Sequence, residues 1–570
     1  MLNLNQLVER PYDERVAKQL MAEGLHQALS RVYAARGVTH KQQLEGALSG
    51  MLHYRLLKNI EVMAQRLADA VQAGERVVVI ADYDADGATA CAVAVRGLGL
   101  LGLPIRFWVP NRFIHGYGLT SEIVRMVAAW EDKPEVILTV DNGMSSYDGV
   151  ETARELGMEV LITDHHLPGE QVPDTLIVNP NQPGCPFPDK HLAGVGVMFY
   201  VLLAIRAELQ ARGVWLNGAP NLAQLLDLVA LGTVADVVKL DENNRILVEQ
   251  GLRRIRQGRA CAGVNALFTV AGRQLEQASA SDLGFMIGPR LNAAGRLEDM
   301  SQGIACLLSD NEDDAAQLAQ RLHELNAERR EIEATMQDQV QAALQNNVDP
   351  ASGYSMTVYD SSWHAGVVGI LASRLKERYH RPVICFARGQ GDEIKGSGRS
   401  IPGLHLRDAL DWISKQVPGL ILKFGGHAAA AGLSIPEFRF KEFVMWFEQA
   451  AQTFLTPQDL QTSIWTDGEL GAANMGPDLA QAIAEQVWGQ GFPQPSFYGI
   501  FRVVQQRVLK EKHLKLRLSQ GSQHWNSILF HCNETLPETI HAVYQLDWNC
   551  YRDSAEVQLR ISDWCAAPDQ

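Results

Sequence analysis

The chain has 570 residues, 46% hydrophobic and 21% charged, with 51 Lys and Arg against 66 Asp and Glu for a formal net charge of −15. Such a length exceeds one core and predicts roughly three or four domains, while the acid excess argues against indiscriminate duplex-DNA binding, which needs Lys and Arg to displace counterions. No apolar run reaches the roughly 20 residues of a membrane helix, the opening MLNLNQLVERPYDERV has no signal-peptide layout, and the cysteines form no C-x2-C pair, so a cytoplasmic protein with reduced core thiols such as Cys91, Cys306 and Cys385 is expected.

Residues 1 to about 50 read as an irregular helical lead-in. From about 75 to 240, strand, polar turn and helix alternate, the order that gives a parallel sheet. Four apolar runs there end in acid or histidine. Val77–Ile80 leads to Asp82, Asp84 and Asp86, Val136–Val140 to Asp141, Val160–Ile162 to Asp164, His165 and His166, and a stretch from Leu225 to Asp236. The first three are predicted as buried strands with metal ligands at their ends. Ligands of open parallel sheets bind beyond the carboxyl ends of the strands, so these side chains converge. Carboxylates gathered there repel one another unless divalent cations neutralise them. Two further strands, Ile105–Val109 and Leu176–Val178, carry Arg112 and Asn179 to the same rim.

The Asp82-x-Asp84-x-Asp86-Gly87 run imitates an EF-hand loop, but its twelfth position is Val93 where a carboxylate is required. It also lacks the G-x-G-x-x-G of a dinucleotide turn. Adjacent histidines at a strand end are more specific: one imidazole can ligate, its neighbour can hydrogen-bond or protonate a phosphate oxygen, and Asp164 can orient a ring. Mixed oxygen and nitrogen ligands suit Mn²⁺ or Mg²⁺. Asp141 is placed to bridge two cations and Asp236 to complete the second, a two-metal phosphoryl-cleaving site.

Between Asn311 and Asp349 there is neither Gly nor Pro, and Leu318, Leu322, Leu325, Ile332, Met336, Val340 and Leu344 recur at helical spacing. This predicts an amphipathic helix of about 50 Å that acts as a spacer before Asp349-Pro350. A second α/β unit follows, with strands at Met356–Tyr359 and Val383–Phe386, a helix from about Val367 to Tyr379, and glycine-rich turns. Beyond Thr456-Pro457, short alternating segments (Phe497–Val504, His513–Leu518, Ser527–Phe530, Val557–Ile561) predict a small β-barrel of OB type. The expected domains are thus 1–50, 51–300, a connecting helix in 301–350, 351–455 and 456–570.

Arg290, Asn292 and Arg296 in IGPRLNAAGR offer forked phosphate contacts near a glycine turn. Ser397 and Arg399 in GSGRS, and Gly425, Gly426 and His427 in FGGH, are expected to bring backbone amides and charge close to an anion. In the barrel, Arg502 to Arg517 holds six Lys or Arg against one acid, beside Phe497, Tyr498 and Phe501, which suits single-strand tracking by stacking and backbone attraction.

The ordered set DYDADG, TVDNG, TDHH, GTVAD, GPRLNAAGR, GSGRS and KFGGHAAAAG resembles the DHH phosphoesterase superfamily, and most closely the RecJ family of single-strand-specific exonucleases. Ala81, where a glycine often precedes DYD, departs from the pattern without touching a ligand. The resemblance implies that Asp82, Asp84, Asp86, Asp141, His165 and Asp236 hold two cations, that His166 contacts the scissile phosphate, and that Arg112 joins the substrate groups at the 5′ end. It also implies 5′→3′ release of mononucleotides in recombination and repair, with a single-strand binding protein and a recombination helicase as partners. A pyrophosphatase or short-oligonucleotide phosphodiesterase would share the metal site but have little use for a basic barrel.

Overall fold

A run that is apolar at every residue is stable as a strand only when both faces are covered, and the first half of the chain meets that condition. The computed structural model describes residues 4–215, 218–345, 353–551 and 554–567. In it, β1 (Leu7–Glu9) precedes a five-stranded sheet of β2 (Val77–Ala81), β3 (Arg106–Trp108), β4 (Val136–Val140), β5 (Glu159–Thr163) and β6 (Leu176–Val178). The order is β3-β2-β4-β5-β6, with every pair parallel. From β2 the chain steps outward to β3 and then returns to the other side of β2 as β4. The reversal opens a crevice at the carboxyl ends of β2 and β4. Register sets Ala81 beside Val140 and Val140 beside Thr163. Asp82, Asp141 and Asp164 therefore leave three adjacent strand ends at one level, with strands ~4.8 Å apart.

One sheet face packs Ile80, Ile137 and Ile162 against Leu119, Ile123, Val127 and Val150. The helices Ala85–Leu100, Gly194–Ala211 and Leu226–Ala235 pack on one another and are apolar around most of their circumference, as enclosed helices must be. Gly194–Ala211 is long and apolar enough to cross a membrane, with mean hydropathy 1.4, but 67% of it is buried inside the protein, which makes it a core helix. The fourth acid-ended run is likewise a helix, Leu226–Ala235, because its Leu and Ala favour that state over a strand. Asp236 is its C-cap.

Contacts divide the chain into two compact units, one of residues up to His323 together with those from Trp465 on, the other Glu324–Ile464. The helix Glu312–Gln345 begins in the first and continues into the second, and Asn311 caps it by accepting from the Asp313 and Asp314 amides at 2.8 and 3.0 Å. The expected connecting helix thus starts at Glu312, because Ser301–Leu308 is a separate helix that ends before this cap. Leu322, Leu325, Met336 and Val340 of the expected stripe are buried. The Leu344 side chain and residues 349–352 lie outside the described set.

The second unit holds β7 (Met356–Tyr359), β8 (Val383–Arg388), β9 (Glu393–Arg399), β10 (Lys423–Gly426) and β11 (Ala430–Pro436) in the order β10-β11-β9-β8-β7. Only β7 and β8 run parallel. GSGRS and FGGH, expected as turns, lie largely in β9 and β10. In GSGRS the glycines are strand residues because neighbours occupy the side-chain space: a Cβ on Gly396 would lie 2.6 Å from the Phe386 ring, and one on Gly398 2.7 Å from Leu406.

The C-terminal segment opens with β12 (Ile464–Thr466), which pairs with β1. A closed barrel follows, β13 (Phe497–Leu509), β14 (His513–Gln520), β15 (Gln523–Leu529), β16 (Thr539–Tyr551) and β17 (Ser554–Ala566), ordered β13-β14-β15-β17-β16. β16 escapes a reading by alternation because a register shift at Val543/Tyr544 breaks its period. Phe497 and Phe501, expected to stack on a strand, are fully buried in the barrel because alternation turns both inward.

Candidate active site

Each acid of the crevice is set by the local fold. Asp84 caps the Ala85–Leu100 helix, accepting from the Gly87 amide at 3.0 Å, and Asp86 lies in its first turn, where the helix dipole favours a negative charge. Asp86 is fully buried and accepts from the Gly194 and Val195 amides at 2.7 and 2.9 Å, the N-terminus of the next helix. Asp141 has φ +60°, a conformation costing about 1 kcal/mol or more that persists where surrounding structure demands it. Its amide is held by the Thr163 carbonyl at 3.0 Å. Gly194 approaches so closely that a Cβ there would fall 2.5 Å from the Asp141 carboxylate.

His165 Nε2 lies 3.2 Å from Asp141, 3.5 Å from Asp236 and 3.9 Å from Asp86. Two clusters result, Asp86-His165-Asp236 and Asp82-Asp84-Asp141, each with donor atoms mutually within 4.8 Å. Asp141 also closes a third grouping with His165 and His166, so it stands between the two clusters. His166 is set differently: its Nδ1 lies 2.7 Å from Asp164, whose carboxylate also accepts from the Met144, His165 and His166 amides. Saturated with donors, Asp164 orients His166 and is no ligand.

The charges follow from this packing. Burial, reinforced by the neighbouring Asp84, pushes Asp82 up to about 8 and Asp86 up to about 7, and burial with mutual repulsion drives Asp141 and Asp236 well above the carboxylate range. Burial and the charge of His166 push His165 down to about 4, so its imidazole is neutral at pH 7 and can ligate. Burial disfavours a charge on His166 as well, but the Asp164 carboxylate outweighs it and raises His166 to about 10, while Asp164 falls to about 2. The residues fit a pair of divalent cations. The donor set is oxygen with one neutral nitrogen, and the buried Asp141 Oδ1 has no hydrogen-bond donor.

Of the expected substrate groups, Arg112 lies with its guanidinium 4.3 Å from the Tyr83 ring centroid, close enough to act on Asp82. Asn292 supports the site from behind, accepting from the Ala85 amide at 2.9 Å. Arg290, expected to fork a phosphate, is instead only 6% exposed, bound to the Met286 carbonyl and 3.3 Å from His323. Arg296 is close enough to act on the Tyr83 phenol. In the second unit, alternation along β9 puts Lys395, Ser397 and Arg399 on the face opposite the core. The register Ser397–Gly432–Gly425 continues that face across the sheet, and the glycines leave it bare. Arg399 donates to the Gly398 carbonyl and Ser397 at 2.8 and 3.3 Å, and a Cβ on Gly369 would lie 2.8 Å from Ser397 Oγ. The expected backbone-amide contacts in GSGR are corrected, because β9 lies between β8 and β11 and its amides serve the ladder. Gly426 has φ +140° and leads into the hairpin closed by the His427 amide on the Ala430 carbonyl.

Sequence reasoning missed Tyr117, whose hydroxyl is 3.4 Å from His166 Nε2, and the Gly194 and Val195 amides on Asp86. Tyr117 carries no motif signal. The Gly-Val-Gly opening of an apolar helix after Asp189-Lys-His-Leu-Ala was a legible anion cradle.

The chain matches the DHH family, N-terminal domain, over residues 76–233, the DHHA1 domain over 353–453 and the RecJ OB domain over 466–563. Fold and site together define a DHH-family phosphoesterase. The single-stranded-DNA-specific exonuclease RecJ of Salmonella typhimurium is 46% identical over 580 residues, covering 99% of both chains. That of Escherichia coli is 47% identical over 575 residues, covering 98% of both. The crystal structure of RecJ with Mn²⁺ from Thermus thermophilus is similar with a TM-score of 0.83 at 29% identity, over 99% of this chain and 80% of that one. The chain belongs to the RecJ family of single-stranded-DNA-specific exonucleases.

Proposed function

We propose that the protein is a divalent-metal-dependent exonuclease that shortens single-stranded DNA from its 5′ end and releases 5′-mononucleotides. The observation that carries this reading is the pair of ligand clusters meeting at Asp141, beside a histidine held in its charged form. Asp82, Asp84 and Asp141 would hold one Mn²⁺ or Mg²⁺, and Asp86, His165 and Asp236 the other. Such ions supply Lewis acidity, neutralising phosphate charge and bringing water close to deprotonation at pH 7.

The chain's own groups do the rest. His166 presents an Nε2 proton to a phosphate oxygen, while Asp164 fixes the ring through Nδ1 and keeps it charged. Tyr117 holds that ring from the other side, and its hydroxyl stays neutral because burial and the surrounding carboxylates raise it well above its ordinary value. Arg112 meets the terminal 5′ phosphate, and Arg296, Ser397, Arg399, Gly425, Gly426 and His427 bind the backbone. In the barrel, Arg507 and Lys515 stand directly opposite across β13 and β14, a like-charge pair that an anionic strand relieves.

Action in recombination and repair, partnership with a single-strand binding protein and a recombination helicase, and a cytoplasmic location complete the reading on family grounds. A time course on 5′-labelled and 3′-labelled single strands, with Mn²⁺, Mg²⁺ or EDTA, tests it. The 5′ label should leave at once as a mononucleotide, the 3′-labelled strand should shorten progressively, and EDTA should stop both. Early loss of the 3′ label, or indifference to EDTA, would overturn it.

A further inference from the structure

Behind the ligands lies a second polar cluster that none of the chemistry above uses: Asp189, His191 and Asp241, with donor atoms mutually within 4.8 Å. It resembles a third cation site, but its atoms are already engaged. Asp189, 6% exposed, accepts from the His191 amide at 2.8 Å and from Asn243 Nδ2 at 3.3 Å, and shares a hydrogen bond with Asp241. Asp241 caps the helix Glu242–Arg256, accepting from the Asn244 amide at 3.2 Å. His191 Nδ1 lies 3.6 Å from Asp241 and 4.0 Å from Asp189. The wholly buried Asn244 side chain donates to the His191 and Lys239 carbonyls, both at 2.9 Å, and Tyr200 donates to Asn243 at 2.8 Å.

These bonds join two backbone segments, 189–195 and 236–241. The first holds two ligands of one cation cluster: its Gly194 and Val195 amides grip Asp86, and its Leu192 carbonyl hydrogen-bonds His165. The second begins at Asp236, the third ligand of that cluster. The other cluster, Asp82-Asp84-Asp141, is carried by β2, β4 and the Ala85–Leu100 helix; the two segments supply none of its ligands and touch it only where Gly194 backs the Asp141 carboxylate.

We infer that Asp189, His191, Asp241 and Asn244 form a positioning lock that sets the distance between the Asp86-His165 pair and Asp236, and with it the affinity of that one cation site. The inference rests on the two-cation reading above. Burial, and then the hydrogen bond and charge of Asp241, push the Asp189 carboxyl up to about 8, so the carboxyl pair holds a proton between its members. An amide keeps the hydrogen bond to Asp241, donating from Nδ2, and still accepts from the His191 amide through Oδ1, giving up only the longer bond from Asn243. D189N therefore preserves the lock, and D189A breaks it. Loss of a group that orients a ligand costs a metal site about 10- to 100-fold in affinity.

The test is titration of the full-length protein with Mn²⁺ by calorimetry, alongside electron paramagnetic resonance of the bound metal. Wild type and D189N should bind two Mn²⁺ and give the spectrum of a coupled pair. D189A and D241A should retain one tight Mn²⁺, lose the second by about 10- to 100-fold, and show the spectrum of an isolated ion. Asp241 is a quarter exposed, so D241A carries the test alone if D189A does not fold. Two Mn²⁺ bound as tightly in D189A and D241A as in wild type, or both weakened equally, would overturn the lock alone. A wild type that binds no Mn²⁺ pair would sink the reading of the site itself, and the lock with it.

Discussion

The strand-end site and the glycine-lined face of the second sheet are built from opposite materials. The first gathers carboxylates that packing holds out of water, with Asp82, Asp86 and Asp141 under 5% exposed, so that bound cations, or protons in their absence, make the arrangement electrostatically tolerable. The second spreads Lys395, Ser397 and Arg399 along a strand beside glycines, with Lys395 exposed and the Arg399 guanidinium partly desolvated by burial. The difference teaches where energy resides. Buried like charges store a large demand for a specific counter-ion, whereas single cations spread along a strand contribute modest, separate increments.

Substitution should separate the two most sharply. Asp141→Ala or Asp86→Ala should lower the rate of mononucleotide release by about a thousandfold or more, the equivalent of roughly 4 kcal/mol, while single-strand binding by fluorescence anisotropy changes little. Equal losses in binding and rate would erase the distinction. Next, His166→Ala should cost about 10² to 10⁴ in kcat with KM nearly constant, as for a proton donor that acts only in the transition state. Steady-state kinetics on a short single strand will tell.

Proton competition sharpens the contrast further. Metal-free Asp82 and Asp86 hold protons up to about 8 and about 7, whereas unfolded aspartate releases its proton near ~3.9. Their raised values mean that the metal-free fold loses stability as pH climbs from about 4 to about 8, and that Mn²⁺ binding displaces protons at any pH below about 7 to 8. The rise in melting temperature on adding Mn²⁺ should therefore be larger near pH 8.5 than near pH 6, at roughly matched ionic strength. A gain that shrinks with pH would contradict the buried-carboxylate account.

The basic surfaces should yield smaller effects. Arg399→Ala should raise KM about 10- to 100-fold with a lesser change in kcat, the loss of one charge-assisted phosphate contact. Reversing Arg507 and Lys515 to Glu should weaken binding of long strands and lower the salt dependence of log K by about one unit per lost phosphate contact. Activity on very short strands should be spared.

Legibility followed the same division. The acids of DYDADG, TVDNG and TDHH could be assigned to strand ends because a β-branched run that stops abruptly at Asp is hard to place anywhere else in a fold, and Asp82, Asp141 and Asp164 do leave their strands at one level. The glycine motifs misled for a local reason. Gly reads as a turn wherever its neighbours are unknown, yet Gly396 is a strand residue because the Phe386 ring occupies its side-chain space. Arg290 misled similarly, since nothing in IGPRLNAAGR announces that His323 waits inside.

Local sequence alone determined the parallel sheet, its ligand-bearing ends and the barrel, since these depend on periodicity and on residue types that tolerate few environments. Only tertiary structure decided that His165 is neutral while its neighbour is charged, that Arg290 turns inward to His323, and that Phe497 and Phe501 face inward. The reason is physical: protonation and role depend on desolvation and on how neighbouring groups are oriented, and both are set only once the chain is packed.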